Sequence, residues 1–173
     1  MKRIVHILFV PLLLLAAGCR EVPTYDVTPT AKEGLQEKMI GANRLISKSE
    51  AQQIDAYLER RGWDKTRIAN GVWVAEYMNS EVPLGAAIDY EDTVALRYRV
   101  ETLGGEEIYA WSEDTVVCGR MKPTRGLDAA LRTLHAGATA RVIVPSEMAY
   151  GVVGDGDRIG SRTVLVYEVV IEN

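Results

Sequence analysis

Tyr150 lies in a loop with Gly151, Gly154, Gly156 and Gly160 behind it, between two β-rich stretches. A large aromatic in such a loop is suited to touching a ligand over an open sheet face, and its phenol can donate a hydrogen bond there. The chemistry this allows is non-covalent, an apolar surface that grips a ligand and a phenol that orients it. Covalent and metal chemistry find few residues to use. The chain has two histidines, His6 and His135, and two cysteines, Cys19 and Cys118. His6 and Cys19 fall in an apolar leader, which leaves one of each type and excludes a Cys/His metal set or an intrachain disulfide in the remainder. No metal and no cofactor is expected. Asp155-Gly156-Asp157 is too short for a calcium loop and reads as a solvated turn. Cys118 reads as a small buried residue, and His135 as a cation near a helix end.

The elements that hold Tyr150 follow from hydrophobic periodicity. Ala140, Val142 and Val144 alternate with Arg141 and Ile143 and stop at Pro145, which marks a strand before the loop; Thr163–Ile171 marks another after it. Upstream, Gly71–Met78 and Asp92–Thr102 read as strands, the second turning at Gly104-Gly105 into Glu106–Trp111. Ser112–Arg120 reads as a further short strand, and Arg125–His135 as a short amphipathic helix carrying Leu127, Ala130, Leu131 and Leu134 on one face. Residues 71–173 therefore form an α+β domain, an antiparallel sheet of five or six strands wrapped on one short helix. Before it, residues 30–70 read as a helical segment with two helices, Thr30–Ile46 and Ser49–Arg61. Thr30 with Glu33 and Ser47 with Glu50 have the spacing of capping boxes, and Gly62 stops the second helix. This pair is expected to pack on the sheet domain, with a partner-binding arm as the other reading.

Ile143–Gly151 (IVPSEMAYG) followed by TVLVYEVVI resembles the C-terminal signature of FKBP-type peptidyl-prolyl isomerases, in which P-x-x-x-A-Y-G precedes a strand of form T-L-x-F-x-V-E-L. The resemblance spans roughly the last eighty to ninety residues, the size of one small domain. It implies an FKBP-like sheet, prolyl cis-trans isomerisation and proline-containing polypeptide clients. Tyr98, Tyr109 and Tyr150 stand at the family's catalytic positions by this resemblance. Ile108, Val116, Pro123, Thr124, Leu127 and Tyr167 stand at those that line its substrate pocket. Three positions depart from the family pattern: Ile108, Tyr109 and Leu127 replace its phenylalanine, aspartate and tryptophan. Leu127 for tryptophan implies a shallower apolar floor. An X–Pro bond needs no nucleophile to isomerise, because its barrier is the loss of amide resonance, about 18–20 kcal/mol. An apolar pocket with oriented donors suits that reaction. The alternative reading is a binding or chaperone module that uses the same groove with little turnover. A third is a structural envelope protein assembled through the helical arm.

Met1–Cys19 (MKRIVHILFVPLLLLAAGC) has a basic start, an apolar core and small residues before a cysteine. It reads as a signal peptide over 1–18, and LAAGC matches the bacterial lipobox, which implies lipidation of Cys19 and membrane attachment through it. Residues 19–29, with two prolines, read as a tether. Arg20 in place of the aspartate of an inner-membrane lipoprotein points to the outer membrane, facing the periplasm or the cell surface. With 20 basic against 24 acidic residues and a net charge of −4, the chain has no basic block of the kind nucleic acids attract.

Overall fold

The computed structural model describes residues 29–64, 66–77 and 85–172. The chain divides into two compact units, residues 1–38 and 39–173. Only the opening of helix α1 (Pro29–Arg61) is described in the first unit; the leader, Cys19 and residues 20–28 of the tether lie outside the described residues.

The larger unit is built on one antiparallel sheet of six strands: β1 (Thr66–Arg67), β2 (Trp73–Tyr77), β3 (Thr93–Thr102), β4 (Glu107–Val117), β5 (Thr139–Val144) and β6 (Leu165–Ile171). Their spatial order is β1-β2-β5-β6-β3-β4. Period-two side-chain alternation gives this sheet two apolar faces. Ala140, Val142 and Val144 of β5 and Leu165, Tyr167, Val169 and Ile171 of β6 point into the main core. Ile143 and Val166, with Val164 just before β6, point to the opposite side.

Helix α2 (Arg125–Leu131) covers the first face. Its N-terminus is capped by Thr124, whose Oγ accepts the Leu127 N–H at 3.2 Å. Leu127, Ala130 and Leu131 are fully buried against the sheet, and each buried leucine contributes about 1.5–3 kcal/mol relative to exposure. Gly126 sets the closeness of this packing. A Cβ there would stand 2.3 Å from Val144 Cγ1, so any larger residue would push the helix off β5. The second face is covered by the C-terminal half of α1. Ile54, Tyr57 and Leu58, at helical spacings of three and four, pack with Ile143, Val164 and Val166.

Four expectations change. The helical pair is one continuous helix, because nothing between Ile46 and Ser49 forces a break. The supposed second capping box is two tertiary contacts. Ser47 Oγ donates to Glu147 at 2.5 Å, and the Glu50 carboxylate accepts from Ser146 rather than from its own helix. Glu106–Trp111 and Ser112–Arg120 are a single strand, β4. Its polar run Ser112-Glu113-Asp114 does not end the strand because β4 is an edge, with one side and most of its side chains facing solvent. The helix predicted to reach His135 stops at Leu131. There the Thr133 and Leu134 N–H groups donate three residues back, to Ala130 and Leu131, tightening the chain into turns. His135 instead bridges Ala87 in an isolated antiparallel pair.

Candidate active site

On the α2 side of the sheet a cleft of about 300 Å³ is lined by Tyr98 and Val100 of β3, Tyr109, Ala110 and Ser112 of β4, Pro123, Tyr150, Asp155, Ile159 and Tyr167. Five residues nominated from sequence meet here: Tyr98, Tyr109, Pro123, Tyr150 and Tyr167. Tyr98 and Tyr167 sit on neighbouring strands, registered so that Tyr98 faces Val169 and Val100 faces Tyr167. Their ring centroids are 6.0 Å apart and tilted at 52°. Pro123, which follows a cis peptide bond with Lys122, also lines the cleft.

Ile108, Val116, Thr124 and Leu127 do not face this cleft. Ile108, Val116 and Leu127 are buried in the main core, and Thr124, 3% exposed, is occupied as the α2 cap. Leu127 lies behind the cleft under α2, where its side chain fills the core instead of flooring the site. Sequence reasoning missed Val100, Ala110, Ser112, Asp155 and Ile159. The first and third were accessible from register, since Val100 is two residues past Tyr98 on one strand and Ser112 faces Tyr98 across the ladder. Ile159 was flagged only by being apolar within a polar run, DGDRIGS.

The loop that carries Tyr150 is tied down over its whole length. After Pro145 the chain makes a 3-10 turn, Ser146–Met148, and the Ser146 carbonyl accepts the N–H groups of Ala149 (3.0 Å) and Gly151 (2.8 Å). These are the two chain neighbours of Tyr150. The Arg162 N–H closes the loop onto the Gly151 carbonyl at 2.7 Å. Asp155, read from sequence as a solvated turn residue, organises the loop tip. Its Oδ1 accepts the N–H groups of Asp157 (2.9 Å) and Ile159 (2.8 Å), and its Oδ2 accepts the Tyr109 hydroxyl. Arg158 stacks over the Tyr109 ring and donates to the Ile108 carbonyl at 2.9 Å, joining the tip to β4. Gly154 has φ +76°, and a Cβ there would lie 2.2 Å from the Ile159 carbonyl oxygen, so the tip requires glycine.

The four cleft phenols are electrostatically distinct. The hydrogen bond to Asp155 pushes the Tyr109 hydroxyl up to about 12, with burial and the Asp155 and Asp157 charges adding to it. Burial would raise the Asp155 carboxyl, but the bonds from Tyr109, Asp157 and Ile159 outweigh it and hold that carboxyl below the usual range. Burial raises Tyr167, an effect that its neighbour Thr124 partly offsets. Burial also raises Tyr98, partly offset by Ser112. Tyr150 is raised by burial too, with Tyr98 and Asp155 adding to it. All four are neutral phenols at physiological pH. Tyr109, Tyr98 and Tyr167 have polar neighbours for their hydroxyls, whereas the Tyr150 hydroxyl has no hydrogen-bond partner among the described residues. It is a neutral donor on the lining of this cleft.

A second cleft, about 440 Å³, lies between α1 and the β1–β2 edge, lined by Glu50, Asp55, Arg67, Trp73 and Glu147 among others. It is larger, but its ionisable lining, the buried Glu50 included, holds no converging phenols. The smaller cleft is the better site for holding a peptide bond.

The model of the FKBP-type peptidyl-prolyl cis-trans isomerase family matches residues 85–172. A probable FKBP-type 25 kDa peptidyl-prolyl cis-trans isomerase of Pseudomonas aeruginosa is 31% identical over 111 residues, covering 64% of this chain and 47% of that protein. The chain thus spans about half the length of this curated relative. In fold, the chain is similar to a peptidyl-prolyl cis-trans isomerase of Pseudomonas syringae pv. tomato, with a TM-score of 0.59 and 23% identity over 75% of this chain and 93% of that one. It is also similar to the N-terminal domain of FKBP42 from Arabidopsis thaliana, with a TM-score of 0.56 and 21% identity over 62% of this chain and 89% of that one.

Proposed function

Because the chain belongs to the FKBP-type peptidyl-prolyl cis-trans isomerase family, we propose that its tyrosine-lined cleft binds X–Pro segments of polypeptides and speeds rotation about the prolyl bond. The observation that carries this reading is the Tyr150 hydroxyl, a neutral donor without a hydrogen-bond partner among the described residues, on a cleft lined also by Val100, Ala110, Pro123, Ile159 and three other tyrosines.

The reaction follows from those properties. Rotation breaks amide resonance, so the twisted state carries less charge on the carbonyl oxygen than the planar one. Apolar walls that displace water from the imide favour the less polar, twisted state. Tyr150 donates to a carbonyl of the flanking chain and holds it while the prolyl ring turns against Tyr167 and Ile159. No bond to the enzyme forms. Asp155 anchors the wall through Tyr109 and keeps the loop tip in place.

The proposal extends to exported proteins as clients. Its support is the leader, MKRIVHILFVPLLLLAAGC, ending at Cys19, which is expected to be lipidated and to attach the domain to the outer membrane. Labelling with a radioactive fatty acid tests this part: wild type should incorporate label and Cys19→Ser should not. The isomerase reading is tested with a short proline peptide and a protein whose refolding is limited by a prolyl bond. Acceleration of both, blocked by an excess of the proline peptide, is the expected result. Binding of the peptide without acceleration of either would replace the enzyme by a holding module.

A further inference from the structure

We propose that Glu50 is a positioning residue for the cleft, so that α1 sets the place of Tyr150 from the opposite side of the sheet. This inference rests on the reading of the cleft as an isomerase site. Glu50 lies on α1, 6% exposed, and 96 residues before its partner. Its carboxylate accepts both donors of one residue, the Ser146 N–H at 3.0 Å and the Ser146 Oγ–H at 2.6 Å. Ser146 in turn offers its carbonyl to the N–H groups of Ala149 and Gly151. The chain of contacts therefore runs from helix to serine to the two peptides that flank Tyr150. A second link, Ser47 to Glu147, lies one residue further along the same turn.

Anchoring the helix does not require this carboxylate. Ile54, Tyr57 and Leu58 already seat α1 on the sheet, and glutamate is rarely buried unless it is paired. A buried carboxylate contributes direction, which apolar packing lacks: it fixes the orientation of the Ser146 peptide and so the place from which the loop departs. Catalysis is sensitive to that placement, since an error of about 1 Å in a positioning group can cost on the order of a hundredfold in rate. Glutamine can satisfy the same geometry, its amide oxygen accepting the Ser146 N–H and its amide nitrogen donating to Ser146 Oγ. Alanine cannot.

The test compares wild type, Glu50→Ala, Glu50→Gln and Ile54→Ala in the full chain. Amide hydrogen exchange is followed at Ala149 and Gly151, with kcat and KM for a proline peptide. Ile54→Ala is the control that loosens α1 without touching Ser146. The expected result for Glu50→Ala is at least tenfold faster exchange at Ala149 and Gly151 and about a tenfold fall in kcat/KM at unchanged helix content, with Glu50→Gln restoring both to within about twofold. Ile54→Ala should lower the melting temperature yet leave exchange at those two amides and kcat/KM within about twofold. Unchanged exchange in Glu50→Ala overturns the proposal. So does a loss that Ile54→Ala reproduces in proportion to its lost stability. If wild type turns over no peptide, the isomerase reading fails by itself, and exchange at Ala149 and Gly151 still decides whether Glu50 holds the loop.

Discussion

Tyr150→Phe isolates the donor from the ring. The substitution leaves the aromatic face against the core and deletes one hydroxyl that has no hydrogen-bond partner among the described residues. Stability should then move by no more than about 0.5 kcal/mol, the range of substitutions that break no internal contact. The hydroxyl's bond to substrate is a neutral one, with a net worth of about 0.5–1.5 kcal/mol. That corresponds to a fall in kcat/KM of roughly twofold to thirteenfold, centred near fivefold. Tyr150→Ala removes the wall as well and should lose considerably more. The phenol is held above its ordinary range by burial, so wild-type activity should show no inflection from it between neutral and mildly alkaline pH. The assay is cis-to-trans isomerisation of a short proline peptide under conditions where the substrate is far below KM, with urea unfolding of each variant alongside. Full activity in Tyr150→Phe refutes the argument that this hydroxyl engages substrate. A loss matched by an equal loss of stability would assign the effect to folding and refute it equally.

The Tyr109–Asp155 pair makes a prediction about pH. Because folding raises the Tyr109 phenol to about 12, its contribution to stability is fully present below its ordinary value of 10.0 and is lost as pH rises through about 12. Tyr109→Phe should flatten alkaline unfolding over that window, and Asp155→Asn should bring one tyrosine back toward ordinary titration in an ultraviolet titration. Asp155 runs the other way. Its lowered carboxyl contributes stability above the ordinary carboxyl range and loses it as pH falls through its folded value, so Tyr109→Phe should also weaken the acid-side dependence. Leu127→Ala, in a fully buried position, should cost about 2–5 kcal/mol in urea unfolding, the signature of a core residue rather than a pocket floor. Gly126→Ala drives a methyl into Val144 and should cost about 1–3 kcal/mol by the same measurement.

The sheet was legible because its strands alternate in places where both faces are apolar. In β5 and β6, Ala140, Val142 and Val144 go one way and Ile143 the other, and each set finds a core. The edge was not legible. Ser112, Glu113 and Asp114 carry no apolar period, and only pairing with Tyr98, Arg97 and Leu96 keeps them in a strand. A helix break was expected where none exists for a related reason: Ser47 and Glu50 have the spacing of a local cap, but their partners, Glu147 and Ser146, are about a hundred residues away. Within the cleft, the tyrosines were found through motif and spacing, since Tyr150 sits beside a glycine and Tyr98 and Tyr167 occupy strand positions of fixed parity. Leu127 falls on the apolar face of α2 by periodicity and lies in the core; its position relative to a motif says which element it belongs to, whereas the rotation of α2 on the sheet decides which way it points. Asp155 was read as solvated because a loop carboxylate usually is. Its three donors come from a tyrosine on β4 and from the fold of the loop upon itself.

The central claim is that the tyrosine-lined cleft turns prolyl bonds. Exchange NMR on a proline peptide, with and without the isotope-labelled protein, tests binding and turnover in one sample. Cross-peaks linking the cis and trans forms of the peptide should appear only when the protein is present, together with shifts at Tyr98, Tyr150, Ile159 and Tyr167 that saturate with peptide. Shifts at those residues without cis–trans cross-peaks would contradict the isomerase and leave a binding groove. Cross-peaks accompanied by shifts elsewhere, for instance along Glu50, Arg67 and Trp73, would place the chemistry in the other cleft.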